Sequence, residues 1–270
     1  MNIDHQRIVL TGAASGIGRA LLRRLAGRDV ELLCVDVAAD ALDAACADIT
    51  RPVARIRSFA CDVGDRRAID GLFEHAQCVQ GGVSLFIANA GIGSYGPLGR
   101  PDWATLERLY RVNVLSPIYA AEKMQVLNAG RAYGVVMTAS AMSFVALPGW
   151  AAYASTKAAL HRFAEAYRHE LAPDVLLSLV YPIATRSAFF TAAQDAPVPF
   201  LTQSPDDVAD AILCGIARDA PEIHPSRLFR VAWALNGWLP VAPLLRALQG
   251  RVLRRWCATA RPGSSPLPSD

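Results

Sequence analysis

Six short runs rich in valine, isoleucine and leucine recur along the chain: RIVLTG (7–12), VELLCVDV (30–37), ARIRSFACDV (54–63), VSLFIANAG (83–91), YGVVMTAS (133–140) and VLLSLVYP (175–182). Their hydrophobicity is continuous rather than alternating, which suits strands buried on both faces. Amphipathic stretches such as GRALLRRLAG (18–27) and DRRAIDGLFEHAQ (65–77) lie between them. This alternation predicts an α/β fold, a Rossmann-like doubly wound parallel sheet of about seven strands with helices on both faces. A ligand of such a sheet sits at the carboxyl ends of the strands. Further on, Leu160, Phe163, Ala164, Tyr167 and Leu171 recur at i, i+3, i+4, i+7 and i+11, one apolar stripe facing a sheet. Tyr153 and Lys157, four residues apart, share a face of that same helix.

The 270 residues suit one large domain. Apolar residues make up 53% of the chain but never form a span of about 20, so no ordinary transmembrane helix is indicated. The N-terminus MNIDHQRIVLTG enters a strand pattern directly, without the layout of a secretory signal, and an intracellular, cytoplasmic protein is expected. The six cysteines and five histidines are scattered, with spacing that suggests neither a disulfide framework nor a metal site.

Charge is divided unevenly. Residues 1–222 carry 20 basic and 23 acidic groups, and residues 223–270 carry 7 and 1. Within the basic segment, Val231 to Leu245 is uncharged for 15 residues but is interrupted by Gly237, Pro240 and Pro243, so it should not span a bilayer. Trp233, Trp238 and Trp256 among arginines suit a peripheral contact with an anionic membrane, packing over the active site, or a subunit interface. Nucleic acid is a poorer fit, because the basic groups are mixed with aliphatic ones.

Between the first strand and the first helix, TGAASGIG brings together Gly12, Ser15, Gly16, Ile17 and Gly18. Glycines let backbone N–H groups approach a pyrophosphate, and the helix N-terminus adds partial positive charge. Asp36 ends the second strand, 24 residues after Gly12, where a carboxylate accepts from both ribose hydroxyls and repels a 2′-phosphate. Val37, Ala38 and Ala39 follow it with no arginine, which favours NAD over NADP. The alternative is that Asp36 simply caps the next helix.

Taken in order, these motifs resemble the short-chain dehydrogenase/reductase family over roughly residues 5–220. TGAASGIG matches its glycine loop, CDV (61–63) its adenine-contacting element, ANAG (88–91) its NNAG motif with alanine in the first position, and YASTK its YxxxK. VNV (112–114) supplies Asn113, and Ser140 precedes Tyr153 by 13 residues. The resemblance implies that Asp62 and Val63 meet the adenine and that Asn89, Ala90 and Gly91 lie along the cofactor. It also implies that Asn113 kinks its helix and holds a relay water, that Ser140 binds the substrate oxygen, and that Tyr153 is the acid or base. Lys157 would bind the nicotinamide ribose and acidify Tyr153. YPIATRS keeps Pro182 of the family's PGxxxT, with Ile183 for glycine and Ser187 for threonine; a positive φ would be unfavourable at Ile183. A homodimer or homotetramer is also implied.

Hydride transfer at carbon must be matched by proton transfer at the attached oxygen, and the nicotinamide performs only the first. A tyrosine with its usual pKa of about 10 is a poor base at neutral pH, but the Lys157 ammonium and an oxidised nicotinamide should lower it. The loops after the fifth and sixth strands are apolar and point to an apolar alcohol or ketone met by Met142, Trp150, Phe189 and Phe190. Phe189, Phe190 and Phe200 with nearby prolines suggest a mobile lid over about 183–204.

The expected organisation is therefore an NAD-binding catalytic domain over 1–222, a basic and apolar helical extension of it over 223–256, and a disordered tail over 257–270. The expected activity is NAD-dependent interconversion of a secondary alcohol and a ketone. A non-catalytic dinucleotide sensor, or a lyase or epimerase on the same scaffold, is the alternative.

Overall fold

The computed structural model describes residues 1–97, 102–194, 196–199, 201–235 and 241–259. Phe200 and Trp238 therefore lie outside the described residues, as does the expected tail from 260 onward. Its strands are β1 (Arg7–Thr11), β2 (Glu31–Asp36), β3 (Arg55–Ala60), β4 (Leu85–Ala88), β5 (Gly134–Thr138), β6 (Leu176–Val180) and β7 (Glu222–Ile223). They pair in parallel throughout, in the order β3-β2-β1-β4-β5-β6-β7. The helices are α1 (Gly16–Leu25), α2 (Ala39–Ala47), α3 (Arg66–Gln80), α4 (Trp103–Tyr110), α5 (Ser116–Leu127), α6 (Ala151–Tyr167), α7 (Phe189–Ala192), α8 (Pro205–Ala217), α9 (Arg227–Ala234) and α10 (Val241–Thr259).

Each face of the sheet carries its own core. On one side Leu21 and Leu25 of α1, Leu42 of α2 and Ile212 of α8 bury against Leu10, Leu32 and Ile87. On the other, Leu72 of α3, Met124 of α5 and Leu160 of α6 bury against Val9, Val135 and Leu179. Central strands covered on both faces explain the continuous apolar runs. β3 is the exception: as the edge strand it has no fully buried position, and it stops at Ala60, so Cys61–Val63 form a loop rather than the end of a strand. β7 is only two residues long and leaves no run in the sequence.

Two helix ends differ from the sequence reading. α6 stops at Tyr167, a 3₁₀ turn covers Arg168–Glu170, and Leu171 is extended, so the last position of the expected stripe lies beyond the helix. Pro173 contributes, because it disfavours helical geometry at Ala172. At the other end of the chain, residues 257–259, assigned in sequence to the disordered tail, are the last turn of α10.

The sheet order reverses between β1 and β4, so the loops after these neighbours diverge to opposite faces and leave a crevice. The buried Thr11 hydroxyl locks its floor. It accepts from Asn89 N and Ala90 N, both at 3.0 Å, while Asn89 Nδ2 donates to Thr11 O at 3.1 Å. Replacing Thr11 with isosteric valine leaves two backbone N–H groups without that acceptor. Thr11→Val is expected to lower the unfolding free energy in urea by about 1–3 kcal/mol; an unchanged midpoint would show that the hydroxyl does not hold the loops together.

Candidate active site

The crevice is continuous with a cavity of about 370 Å³ that runs from the end of β2 to α7. At its centre the backbone of the β1–α1 loop crosses that of the loop after β4. Gly12, with φ of 69°, would bring a Cβ to 2.9 Å from Ala90 Cα. A Cβ on Gly18 would lie 1.8 Å from Gly12 O, so no other residue fits there. Ser15 begins α1 without a side-chain hydrogen bond to its first turn. The helix N-terminus thus keeps its N–H groups and partial positive charge for an anion. Gly12, Ser15, Gly16 and Ile17 line this part of the cavity, Gly18 packs behind them, and Ser187 lies against Gly16 from the opposite wall. These features fit a dinucleotide pyrophosphate.

The Asp36 carboxylate is fixed at the end of β2. Its Oδ2 accepts from Ala14 N at 3.0 Å and its Oδ1 from Ala38 N at 3.1 Å. Ala38, not Asp36, occupies the N-cap of α2, so the capping alternative does not hold. Beyond it the cavity is bounded by Cys61, Asp62, Val63 and Val112. Asp62 accepts from Gly64 N at 2.8 Å and from the Arg108 guanidinium at 2.8 Å, and the arginine holds its carboxyl below the usual range. In the sequence Arg108, on α4, is one more charged residue of an amphipathic helix, and nothing local marks it as a partner of Asp62.

At the other end stand the four polar residues of the sequence pattern. Asn113 is buried in a π-helical turn, Arg111–Leu115, that joins α4 to α5. Its Oδ1 accepts from Ile92 N and its Nδ2 donates to Ile92 O, both at 2.9 Å, and Nδ2 also reaches Thr156 Oγ1 at 3.2 Å. Ser140 follows β5 and caps a 3₁₀ turn, accepting from Met142 N at 3.1 Å. Tyr153 and Lys157 are both buried on α6. Lys157 Nζ donates to Thr138 O at 2.7 Å and lies 5.7 Å from the centroid of the Tyr153 ring.

Burial decides the charge state of this pair. It pushes the Tyr153 phenol up to about 12, with the neighbouring Ser140 hydroxyl acting only partly the other way. The same desolvation brings the Lys157 ammonium down to about 8. Spacing alone suggests that the lysine lowers the tyrosine; in the protein by itself, loss of water outweighs that attraction.

The wall beside Tyr153 is aromatic. Phe189 lies over it at 5.4 Å between ring centroids and is nearly parallel to Trp150, at 6.0 Å and 9°. Trp150 also contacts Tyr153, Phe190 and Tyr95. Tyr95 in turn meets Trp256 of α10 edge to face at 5.2 Å. The segment 183–204 is tied down at its base, where Arg186 N donates to Gln203 O and Gln203 N to Ala184 O. Ile183 is not among the residues with positive φ, so its replacement of glycine costs no backbone strain.

A family model described as short chain dehydrogenase matches residues 6–197. The chain belongs to that family. It is similar to a 1-deoxy-11-beta-hydroxypentalenate dehydrogenase of Streptomyces avermitilis, 30% identical over 228 residues that cover 81% of this chain and 84% of the relative. Among solved structures, its fold is similar to that of a short-chain dehydrogenase/reductase from Burkholderia phymatum in complex with NAD, at a TM-score of 0.77 and 21% identity, covering 100% of this chain and 99% of the other. A short-chain dehydrogenase from Sphingobium yanoikuyae in complex with NADPH gives 0.76 and 23%, covering 96% and 98%. The protein is thus an oxidoreductase of this family with an NAD(P)-type Rossmann fold.

The cavity brings together the expected cofactor residues Gly12, Ser15, Gly16, Ile17, Asp36, Asp62, Val63, Asn89, Ala90, Gly91, Pro182 and Ser187. It also brings together Ser140, Met142, Trp150, Tyr153, Lys157, Phe189 and Phe190. Gly93 joins them, and Tyr95 packs behind Trp150, without any signal in the sequence. Gly93 lies where a Cβ would come within 2.6 Å of the Phe189 ring, a contact between residues 96 positions apart that no local spacing announces.

A buried lysine costs stability wherever it must be charged. Below about 8 the folded protein carries the ammonium in a desolvated site, whereas the unfolded lysine stays protonated up to 10.5. Between those values the unfolded chain binds more protons, so the Lys157 contribution to stability rises with pH. Lys157→Met is expected to be about 1–3 kcal/mol more stable than the parent at neutral pH, allowing for the lost bond to Thr138 O, with the gap closing as pH rises through this window. Urea unfolding at several pH values checks it, and a variant less stable at neutral pH would contradict the burial argument.

Proposed function

We propose that this dehydrogenase interconverts a secondary alcohol and a ketone on an apolar substrate, using NAD, with Tyr153 as the general acid or base. The observation that carries the reading is the placement of the buried Tyr153–Lys157 pair between a glycine cradle for a dinucleotide and an aromatic wall. When bound, the nicotinamide supplies or accepts the hydride at carbon. The protein's own task is the proton. In reduction, Ser140 orients the substrate oxygen and the neutral Tyr153 phenol gives it a proton as the carbon gains hydride. In oxidation the phenolate must form, which needs cationic help beyond Lys157, since burial holds the phenol near 12. Asn113 acts by position, because its amide already ties the loop after β4 to α6.

Asp36 supports NAD, since its carboxylate faces the cavity end where a 2′-phosphate would sit and residues 37–39 offer no cation. The named activity of the Streptomyces relative, a dehydrogenase of a hydroxypentalenate, agrees with a CH–OH substrate. The Trp150, Phe189 and Phe190 wall favours an apolar one. We also propose a homo-oligomer, in support of which α4 and α5 each carry an exposed large apolar side chain, Trp103 and Val126, 76% and 80% exposed.

A panel of alcohols and ketones followed by NADH absorbance, repeated with NADPH, tests the reading. Turnover of bulky apolar ketones with NADH is expected, and clear preference for NADPH would overturn the role of Asp36. Tyr153→Phe is expected to lose about 10²–10⁴-fold in turnover while retaining NADH binding; unchanged turnover would remove Tyr153 from the mechanism.

A further inference from the structure

The two C-terminal helices present different chemistry on their two sides. On α9, Phe229 and Trp233 stack on each other at 6.4 Å, and Trp233 packs against Phe144 of the loop after β5. On α10, Ala242 and Leu253 are buried, and Leu253 and Trp256 pack onto the Tyr95–Trp150 cluster beside Tyr153. α10 therefore covers the aromatic cluster at the substrate end of the cavity, and α9 covers the Phe144 loop.

The outer side is apolar and basic. Leu228, Val231 and Leu235 recur at i, i+3 and i+7 and are 65%, 54% and 44% exposed. Leu244 and Leu248 of α10, 62% and 47% exposed, continue at i+7 and i+11 into Arg251 and Arg255, which puts all four on one stripe. Between residues 223 and 256 there are six arginines and no acidic residue, whereas residues 1–222 are net acidic. Apolar side chains ordered in a stripe, flanked by cations, match the boundary between acyl chains and anionic headgroups. A second copy docked through this same face would oppose arginine to arginine, and a nucleic acid would leave the leucines unpartnered.

We propose that α9 and α10 dock the enzyme on an anionic lipid surface through Leu228, Val231, Leu235, Leu244 and Leu248 with the neighbouring arginines. Because the inner side of α10 covers the aromatic cluster, docking sets the substrate end of the cavity next to the bilayer. An apolar ketone or alcohol dissolved in the lipid then has a short route to Tyr153. This last step rests on the apolar-substrate reading, whereas docking does not.

Sedimentation of the full chain with vesicles tests docking apart from turnover. Vesicles of phosphatidylcholine with phosphatidylserine should pellet the protein at low salt, and pure phosphatidylcholine should pellet much less. Leu244→Glu/Leu248→Glu and Arg251→Glu should each weaken binding about tenfold or more, with NADH binding measured by fluorescence unchanged as the check on folding. No pelleting on the anionic vesicles would overturn the proposal. So would a Leu244→Glu/Leu248→Glu protein that binds vesicles normally but sediments as a smaller species in ultracentrifugation, since the face would then belong to a second copy. Should the protein dock while turning over only polar substrates, the surface would stand and the apolar-substrate reading would fall.

Discussion

The structure depends on two backbones passing within contact of each other at the sheet's reversal point. Gly12 and Gly18 let the β1–α1 loop close on itself and on Ala90, and the Thr11 hydroxyl holds the loop after β4 in place by two hydrogen bonds. The cavity divides about that crossing. One side of it opens toward Asp36 and Asp62, and the other opens toward Gly91, Ser140 and Lys157. A side chain at Gly18 would push the loops apart and separate the two halves of the cavity.

Much of this is legible in the sequence because it is local. Continuous apolar runs mark the central strands, and the four-residue spacing of Tyr153 and Lys157 places them on one helical face. The glycine loop is readable from its position between a strand and a helix. What the sequence hides joins residues far apart in it: Arg108 with Asp62, Gly93 with Phe189, Tyr95 with Trp256. The two-residue β7 is too short to leave a hydrophobic pattern, and the edge strand β3 leaves a weak one.

Sequence identifies charges but not how much water surrounds them, so a lysine four residues from a tyrosine reads as an activating cation. Once both side chains are buried, desolvation governs each of them, raising the phenol and lowering the ammonium. The C-terminal segment shows a related ambiguity. Its leucines, tryptophans and arginines suit either packing or an external contact, and the helices divide them, with Trp233, Leu253 and Trp256 inward and Leu228, Leu235, Leu244 and Leu248 outward.

Under the proposed function the glycine cradle and Tyr153 serve one reaction, in which carbon receives hydride while oxygen receives a proton. Reduction of the best ketone with NADH deuterated at the transferring position of the nicotinamide tests this directly by mass spectrometry of the product. Deuterium is expected on the carbinol carbon of the alcohol, retained in ordinary water. A product without the label, or no reduction of any ketone by a protein that binds NADH, would contradict it.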